Sequence, residues 1–403
     1  MAAIDRTTGR HHDATERPSR LALLYDPRVR GLVFQTIAIG AVVVIAYFAV
    51  TNAWTNMREQ GIASGFGFLD EVAGFDISQT LISYSNTSTY GRAFLVGLLN
   101  TLLVAGVGIV LATILGFVVG VMRLSPNWLL RQIAGAYIEI LRNIPLLVQL
   151  IFWYFAVIKQ LPGPRQSIEL PFGAVLNIRG LYLPAVVFEP AAAFAGVLLV
   201  AAVVGWFVLG RWAKRRQMAT GERFPVLWAG LAMVVGLPFL GLLVTGFPFT
   251  IDTPELRGFN FVGGVTVIPE FAALLLGLTL YTSAFIAEIV RAGITSVSRG
   301  QTEAARSLGL SPNMTLRLVV IPQAMRVIVP PLTSQYLNLT KNSSLAVAIG
   351  YPDLVSVFAG TVLNQTGQAV EVILITMAVY LTISLLTSLF MNWFNRRIAL
   401  VER

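Results

Sequence analysis

The stretch EAARSLGLSPNMTLRLVVIP, residues 303–322, lies between two long apolar runs and is too polar and too punctuated to continue either of them. Its residues spell a short helix, a corner and a second helix. Ser298 and Gln301 stand at capping-box spacing just ahead of it, residues 302–308 are mostly good helix formers, and Gly309 suits a left-handed stop. Ser311 followed by Pro312 predicts an N-cap with proline at the first helical position. Ala304, Ala305 and Gly309 are small enough for another surface to approach closely, so the corner reads as a docking element. The plainer alternative is an amphipathic loop helix.

The surrounding chain is far from soluble composition. Of its 403 residues 56% are hydrophobic and 12% charged, with a mean hydropathy of +0.73, whereas soluble domains carry about 25% charged residues. Crossing a bilayer takes roughly 20 consecutive apolar residues. Eight runs qualify, near 32–50, 93–121, 133–157, 184–209, 225–247, 267–290, 327–349 and 371–392. The expected fold class is therefore an all-α integral membrane protein of about eight transmembrane helices. The polar tail before the first run is too long for the charged front of a secretory signal, which makes that run a retained anchor.

Successive spans alternate sides, so basic residues in the connections report orientation. One face collects 21 Lys and Arg and the other 6; both termini are expected on the richer, cytoplasmic face. The formal charge of +9 follows from the same bias, and its dispersal over five segments argues against nucleic-acid binding. There is no cysteine, and the two histidines, His11 and His12, stand in the N-terminal tail, so neither thiolate chemistry nor a metal site is expected.

Other features carry weaker signals. Residues 51–92, with Glu59, Asp70, Glu71 and Asp76 among Gly, Ser and Asn, read as an external loop, as does the proline-marked segment 162–184. The cluster RWAKRRQMATGER at 211–223 is an orientation anchor or a contact for anionic lipid. Ala112, Gly116 and Gly120 repeat every four residues, the spacing that lets membrane helices pack closely. Glu139 with Arg142, and Glu288 with Arg291, stand three apart near the basic face. Each pair shares a helix face; it is either a structural ion pair, snorkelling to the interface, or part of a transport route.

The motif EAARSLG, with Ile321–Pro322 twelve residues after Gly309, resembles the EAA loop of ABC-importer permeases. Wider similarity to the polar amino-acid permease family runs through LLNTLLVAGVGIVLATILGFVVGVMRLSPN (98–127), YIEILRNIPLLVQLIFWYF (137–155), AEIVRAGITSVSRGQTEAARSLGLSP (287–312) and IPQAMRVIVPPLTSQYLNLTKNSSLAVAIGYPDL (321–354). Family members usually have five spans, and the extra ones here resemble the long permeases of general L-amino-acid importers. The resemblance divides the chain into a cytoplasmic tail (1–30), an added span and external loop (31–92), a first core part (93–158), an insertion with two spans (159–266) and a second core part (267–397) holding the cytoplasmic EAA loop (292–323).

That resemblance implies a transport subunit of the bacterial inner membrane rather than an enzyme. Glu303, Ala304, Ala305, Gly309, Ser311 and Pro322 would form the coupling element seated on a separate ABC ATPase dimer, which would hold the ATP and Mg; this chain itself needs no cofactor. A second permease subunit and a periplasmic amino-acid-binding protein complete the expected partners. No G-x-x-x-x-G-K-[ST] phosphate loop occurs in the chain. Substrate must cross the midplane, where broken helices expose backbone groups. The seventh run is expected to break at Pro330–Pro331 and again at Lys341, Asn342, Ser343 and Ser344. Lys341 would meet a substrate carboxylate or snorkel to the external interface; Asn342 stands where the family usually has aspartate, and Tyr281 and Thr282 are further cavity candidates.

An ion-coupled secondary transporter is the rival within transport, but it should show repeated halves, and EILR against EIVR is too short an echo. An intramembrane enzyme is the rival from another class, and the lack of HExxH, of G-x-S-x-G and of any histidine in a span argues against it.

Overall fold

A computed structural model describes residues 27–59 and 64–398. His11, His12 and most of the expected tail lie outside these residues. The chain divides into two compact units, one ending at Gly65 and one starting at Phe66. In the first, α1 (Pro27–Glu59) is a single apolar helix long enough to cross a bilayer.

The second unit is built on α2 (Tyr90–Arg123) and α7 (Pro269–Thr295), which run parallel in close contact. Their approach explains the small-residue spacing. A Cβ added to Gly116 would stand 2.6 Å from Ile286, and one on Gly120 would stand 2.7 Å from the Ala287 carbonyl oxygen. Ala112, Ile286 and Val290 are fully buried in the resulting seam. The packing is thus within the chain.

The third apolar run is not one straight span. It divides into α3 (Trp128–Asn143) and α4 (Leu146–Gln160), bent by 104°. Pro145 is the cause: it has no N–H for the Leu141 carbonyl, and it drives Ile144 to an extended ψ of 126°. The Gln149 side-chain amide then donates to the orphaned Leu141 carbonyl at 2.8 Å and to that of Ile144 at 2.9 Å. With this bent pair counted as one, the described residues hold eight candidate spans.

The insertion contributes α5 (Ala193–Thr220) and α6 (Val226–Val244), which pack on each other, and something the apolar runs did not announce. Beside α7's N-terminus, β1 (Ile168–Glu169), β2 (Val175–Asn177), β3 (Gly180–Leu183) and β8 (Val265–Val267) form a small antiparallel sheet in that order. Two ribbons accompany it: β4 (Ala185–Phe188) with β5 (Phe249–Asp252), and β6 (Glu255–Arg257) with β7 (Asn260–Val262). The protein remains mostly helical. Strands of two to four residues are too short to show a period-two pattern, and their register is set by the turns between them.

After α7 come the short α8 (Arg299–Ser307) and the long span α9 (Pro312–Ile349). Contrary to expectation, α9 is continuous through Pro330 and Pro331; helix runs from Ile321 to Asn342. Proline's fixed φ is itself helical, and the helix accommodates both residues at the cost of two backbone hydrogen bonds and of the rings' crowding against the carbonyls four residues earlier. The second expected break, at Lys341–Ser344, coincides with a change of helix type at Ser343, and another irregularity precedes Pro322. Residues Leu316–Val320 widen into a π turn just before Pro322, which cannot donate to the turn behind it, and Ser343–Ile349 tighten into a 3-10 turn. A short loop, buried from Tyr351 to Asp353, leads to α10 (355–366), wound as a π helix over Val355–Val362, and then to the last span, α11 (Ala369–Ile398).

Candidate functional site

The α7–α8–α9 corner forms much as its residues dictate. Ser298 has the extended backbone of an N-cap, φ −62° and ψ 144°, but its side chain makes no capping bond. The expected reciprocal box is not built. Instead the Gln301 side chain accepts from Gln323 Nε2 at 3.3 Å, tying α8 to the start of α9. At the far end Gly309 adopts φ +77°, and the Leu310 amide donates back to the Ala305 carbonyl at 3.2 Å. Only a residue without a Cβ takes that conformation freely. Ser311 Oγ then accepts from the Met314 amide at 3.4 Å, with Pro312 in the first turn.

This closure sorts the motif into an inner and an outer side. Ala305 is buried, whereas Glu303, Ala304 and Ser311 are exposed and Pro322 is half-buried. The Glu303 carboxylate has no ion-pair partner among the described residues. Leu308, five residues on at the end of the same helix, is 82% exposed. Its exposure was not anticipated; the signal available was a leucine immediately before the stop glycine, where its side chain has no helix face to join. A free carboxylate and a bare leucine on a rigid turn form a small mixed surface suited to a protein groove.

The pathway candidates do not form one cluster. Lys341 is exposed and Asn342 half-buried, while Ser343 is fully buried and donates to the Thr340 carbonyl at 2.7 Å. Helical geometry turns successive residues by 100°, so Lys341 and Ser343 point apart. On α7, Thr282 is buried and Tyr281 packs partly exposed against Phe285, with ring centroids 5.0 Å apart. Lys341 instead continues a stripe that sequence reading missed: Ser334, Asn338 and Lys341 are all exposed on one side of α9. Polar groups three and four apart on a span are costly against lipid. Behind the stripe, Thr113 Oγ1 donates to Tyr336 Oη at 2.9 Å, joining α9 to α2.

The two Glu/Arg pairs differ. Arg291 grips Glu288, with Nε 3.0 and 3.1 Å from its two carboxylate oxygens, whereas no ion pair joins Glu139 to Arg142 among the described residues. Arg142 lies over the Phe285 ring, 5.0 Å from its centroid.

A further buried polar group surrounds the loop after α9. Asp353 is fully buried, its Oδ1 accepting from the Ser356 amide at 2.8 Å and its Oδ2 from the Tyr380 hydroxyl at 3.4 Å. Asn100 Nδ2 donates to the Pro352 carbonyl at 2.9 Å, and the Leu354 amide donates to Thr101 Oγ1 at 3.0 Å. Burial pushes the Asp353 carboxyl up to about 7. This network plugs the loop into α2 and α11.

Residues 220–400, which include α8 and its corner, match the family described as binding-protein-dependent transport system inner membrane component. The chain is 53% identical over 380 residues to a general L-amino acid transport system permease protein, AapQ, of Rhizobium johnstonii, covering 94% of this chain and 95% of that one. The chain belongs to this ABC permease family. A putative amino-acid ABC transporter permease protein of Escherichia coli, YhdX, is 56% identical across 94% of this chain and 96% of its own length. The permease BztB of the glutamate/glutamine/aspartate/asparagine transport system of Rhodobacter capsulatus is 43% identical, covering 94% of this permease and 96% of its own length. These matches extend through the insertion and are not confined to the core. The permease is a multi-pass membrane protein and a transport subunit.

Proposed function

We propose that this permease carries amino acids across the bacterial inner membrane as one half of a transmembrane pore, driven by a separate ABC ATPase dimer seated against α8. The observation that carries the coupling is the corner itself: a short helix closed by Gly309 holds outward an exposed Leu308 and a Glu303 that has no ion-pair partner among the described residues. Closure of the ATPases would move α8, and α9, joined to it through the Gln301–Gln323 contact and the Ser311 cap, would follow as a rigid body.

The polar stripe of Ser334, Asn338 and Lys341 supports a second permease, related or identical, across from α9. Between two such faces a zwitterion would find hydroxyl, amide and ammonium groups in place of water. Lys341 would take the substrate carboxylate, and the amide at Asn342 in place of a carboxylate suits neutral or mixed substrates. A periplasmic amino-acid-binding protein would deliver them to the opposite end of the bundle from α8. The excess of basic residues supports placing α8 and both termini in the cytoplasm.

The test is substrate-stimulated ATP hydrolysis by the reconstituted complex carrying Glu303→Lys, with co-purification of the ATPase. Loss of the ATPase, or hydrolysis that no longer responds to substrate, is expected. Unchanged uptake together with no ATPase bound to the wild type would sink the reading and favour an ion-coupled carrier.

A further inference from the structure

A polar cavity of about 650 Å³ opens between α3 and the C-terminal ends of α2 and α7, at the end of the bundle that bears α8. Arg123, Arg131, Arg142 and Arg291 line it against Glu139 and Glu288. Arg291 is already committed to Glu288. The remaining three arginines face a single carboxylate, Glu139, which forms no ion pair among the described residues. Two positive charges are left over.

Two of these guanidinium groups are held in place. Arg123 Nη1 donates to the Arg131 carbonyl at 3.1 Å and lies against the bare backbone of Gly135, where a Cβ would come within 2.6 Å of it. Arg142 stands over the Phe285 ring at cation–π distance, a contact that uses the face of its guanidinium and none of its N–H groups. Arginine forks presented at a cavity between membrane helices, with two more positive than negative side chains lining it, are suited to bidentate oxyanion binding.

We propose that this cavity binds a phosphate group, held by Arg123, Arg131 and Arg142. The surplus of two positive charges matches phosphate better than a single carboxylate, and the volume admits a headgroup. The phosphate belongs either to an anionic phospholipid or to a soluble phosphate. Either would clamp α2, α3 and α7 together just before α7 runs into α8, and so stiffen the base from which the coupling corner projects. The inference uses only the cavity and is independent of orientation and of the ATPase contact.

The experiment uses the full complex in mild detergent, stripped of lipid, with thermal unfolding followed on adding phosphatidylglycerol, phosphatidylcholine or inorganic phosphate. Native mass spectrometry counts retained phospholipid in parallel. Saturable stabilisation by phosphatidylglycerol but not phosphatidylcholine is expected if lipid is the source, and by inorganic phosphate if it is soluble. In Arg123→Gln/Arg142→Gln the apparent affinity should fall about tenfold, while Arg257→Gln, on the distant β6, should match wild type; tenfold corresponds to one charge-assisted bond of about 1.4 kcal/mol. If the double variant does not fold, Arg131→Gln and the wild-type titrations decide. Wild type indifferent to both phosphatidylglycerol and inorganic phosphate, or variants indistinguishable from it, overturns the proposal and leaves the arginines as solvated orientation anchors.

Discussion

The amide of Leu310 reaches back across Gly309 to the carbonyl of Ala305 at 3.2 Å, and this one bond turns α8 into a closed corner. It exists because Gly309 sits at φ +77°. Replacing Gly309 with valine should cost about 1–2 kcal/mol locally. Since α8 is exposed and short, the loss should appear as weakened ATPase association in co-purification, with little change in the melting temperature of the permease. Gly309→Asn, which tolerates the left-handed region, should retain most of the association.

Leu308 offers a separable test of the docking surface. It is 82% exposed, so Leu308→Asp removes nothing from the permease interior and should leave its unfolding unchanged within about 0.5 kcal/mol. Substrate-stimulated ATP hydrolysis by the complex should nevertheless fall at least about tenfold, as expected when an anchor of an interface is lost. Normal stimulation would show that Leu308 does not touch the ATPase.

The α2–α7 seam should be intolerant of volume. Gly116→Val would drive its side chain into Ile286 and the Ser283 carbonyl, and should destabilise the protein by about 1–3 kcal/mol. Gly106, on the same helix with nothing within 4 Å of an added Cβ, is the control; Gly106→Ala should be neutral or slightly stabilising. Thermal unfolding in one detergent compares the two.

Asp353 makes stability depend on pH. Its carboxyl is raised from 3.8 to about 7 by burial, so between those values the folded state holds a proton that the unfolded chain has released. Its contribution therefore favours folding at low pH, declines as pH rises from about 4 to about 7, and is flat above. Asp353→Asn keeps an acceptor for the Ser356 amide and should stabilise the protein at pH 8 by on the order of 1–3 kcal/mol, with no gain near pH 4. Melting curves of both proteins across this range should converge at the acid end; parallel curves would count against it.

For the pathway, Lys341→Gln should raise the substrate concentration for half-maximal uptake about tenfold, the scale of one charged hydrogen bond. Because Lys341 is exposed, its melting temperature should not move. Ser343→Ala, by contrast, removes a buried bond to Thr340 and should lower stability with little effect on half-saturation.

Much of this protein was legible in residue order because membrane spans and helix stops are local properties. The apolar runs, the four-residue repeat of Ala112, Gly116 and Gly120, and the Gly309–Pro312 corner each depend on a few neighbouring residues, and each is where the sequence placed it. Family membership followed from the same corner. Local rules failed where a side chain some residues away supplied the deciding bond. Gln301 passed over the capping box for Gln323, and Gln149 repaired the break at Pro145 so that one apolar run became two helices at 104°. Pro330 and Pro331, strong breakers by rule, stayed inside a helix.

By itself, then, the sequence determined what each segment is: which runs span, where they stop, and which loop bears the EAA-like motif. Only the tertiary structure decided what those segments face. Which member of Lys341–Ser344 is buried, which arginines share a cavity, and which carboxylate is sealed in a loop depend on contacts such as Arg123 with Gly135 and Asp353 with Tyr380, between residues that are 12 and 27 positions apart. Hydrophobicity is a property of the residue, whereas burial and charge balance arise only when helices from distant parts of the chain have packed.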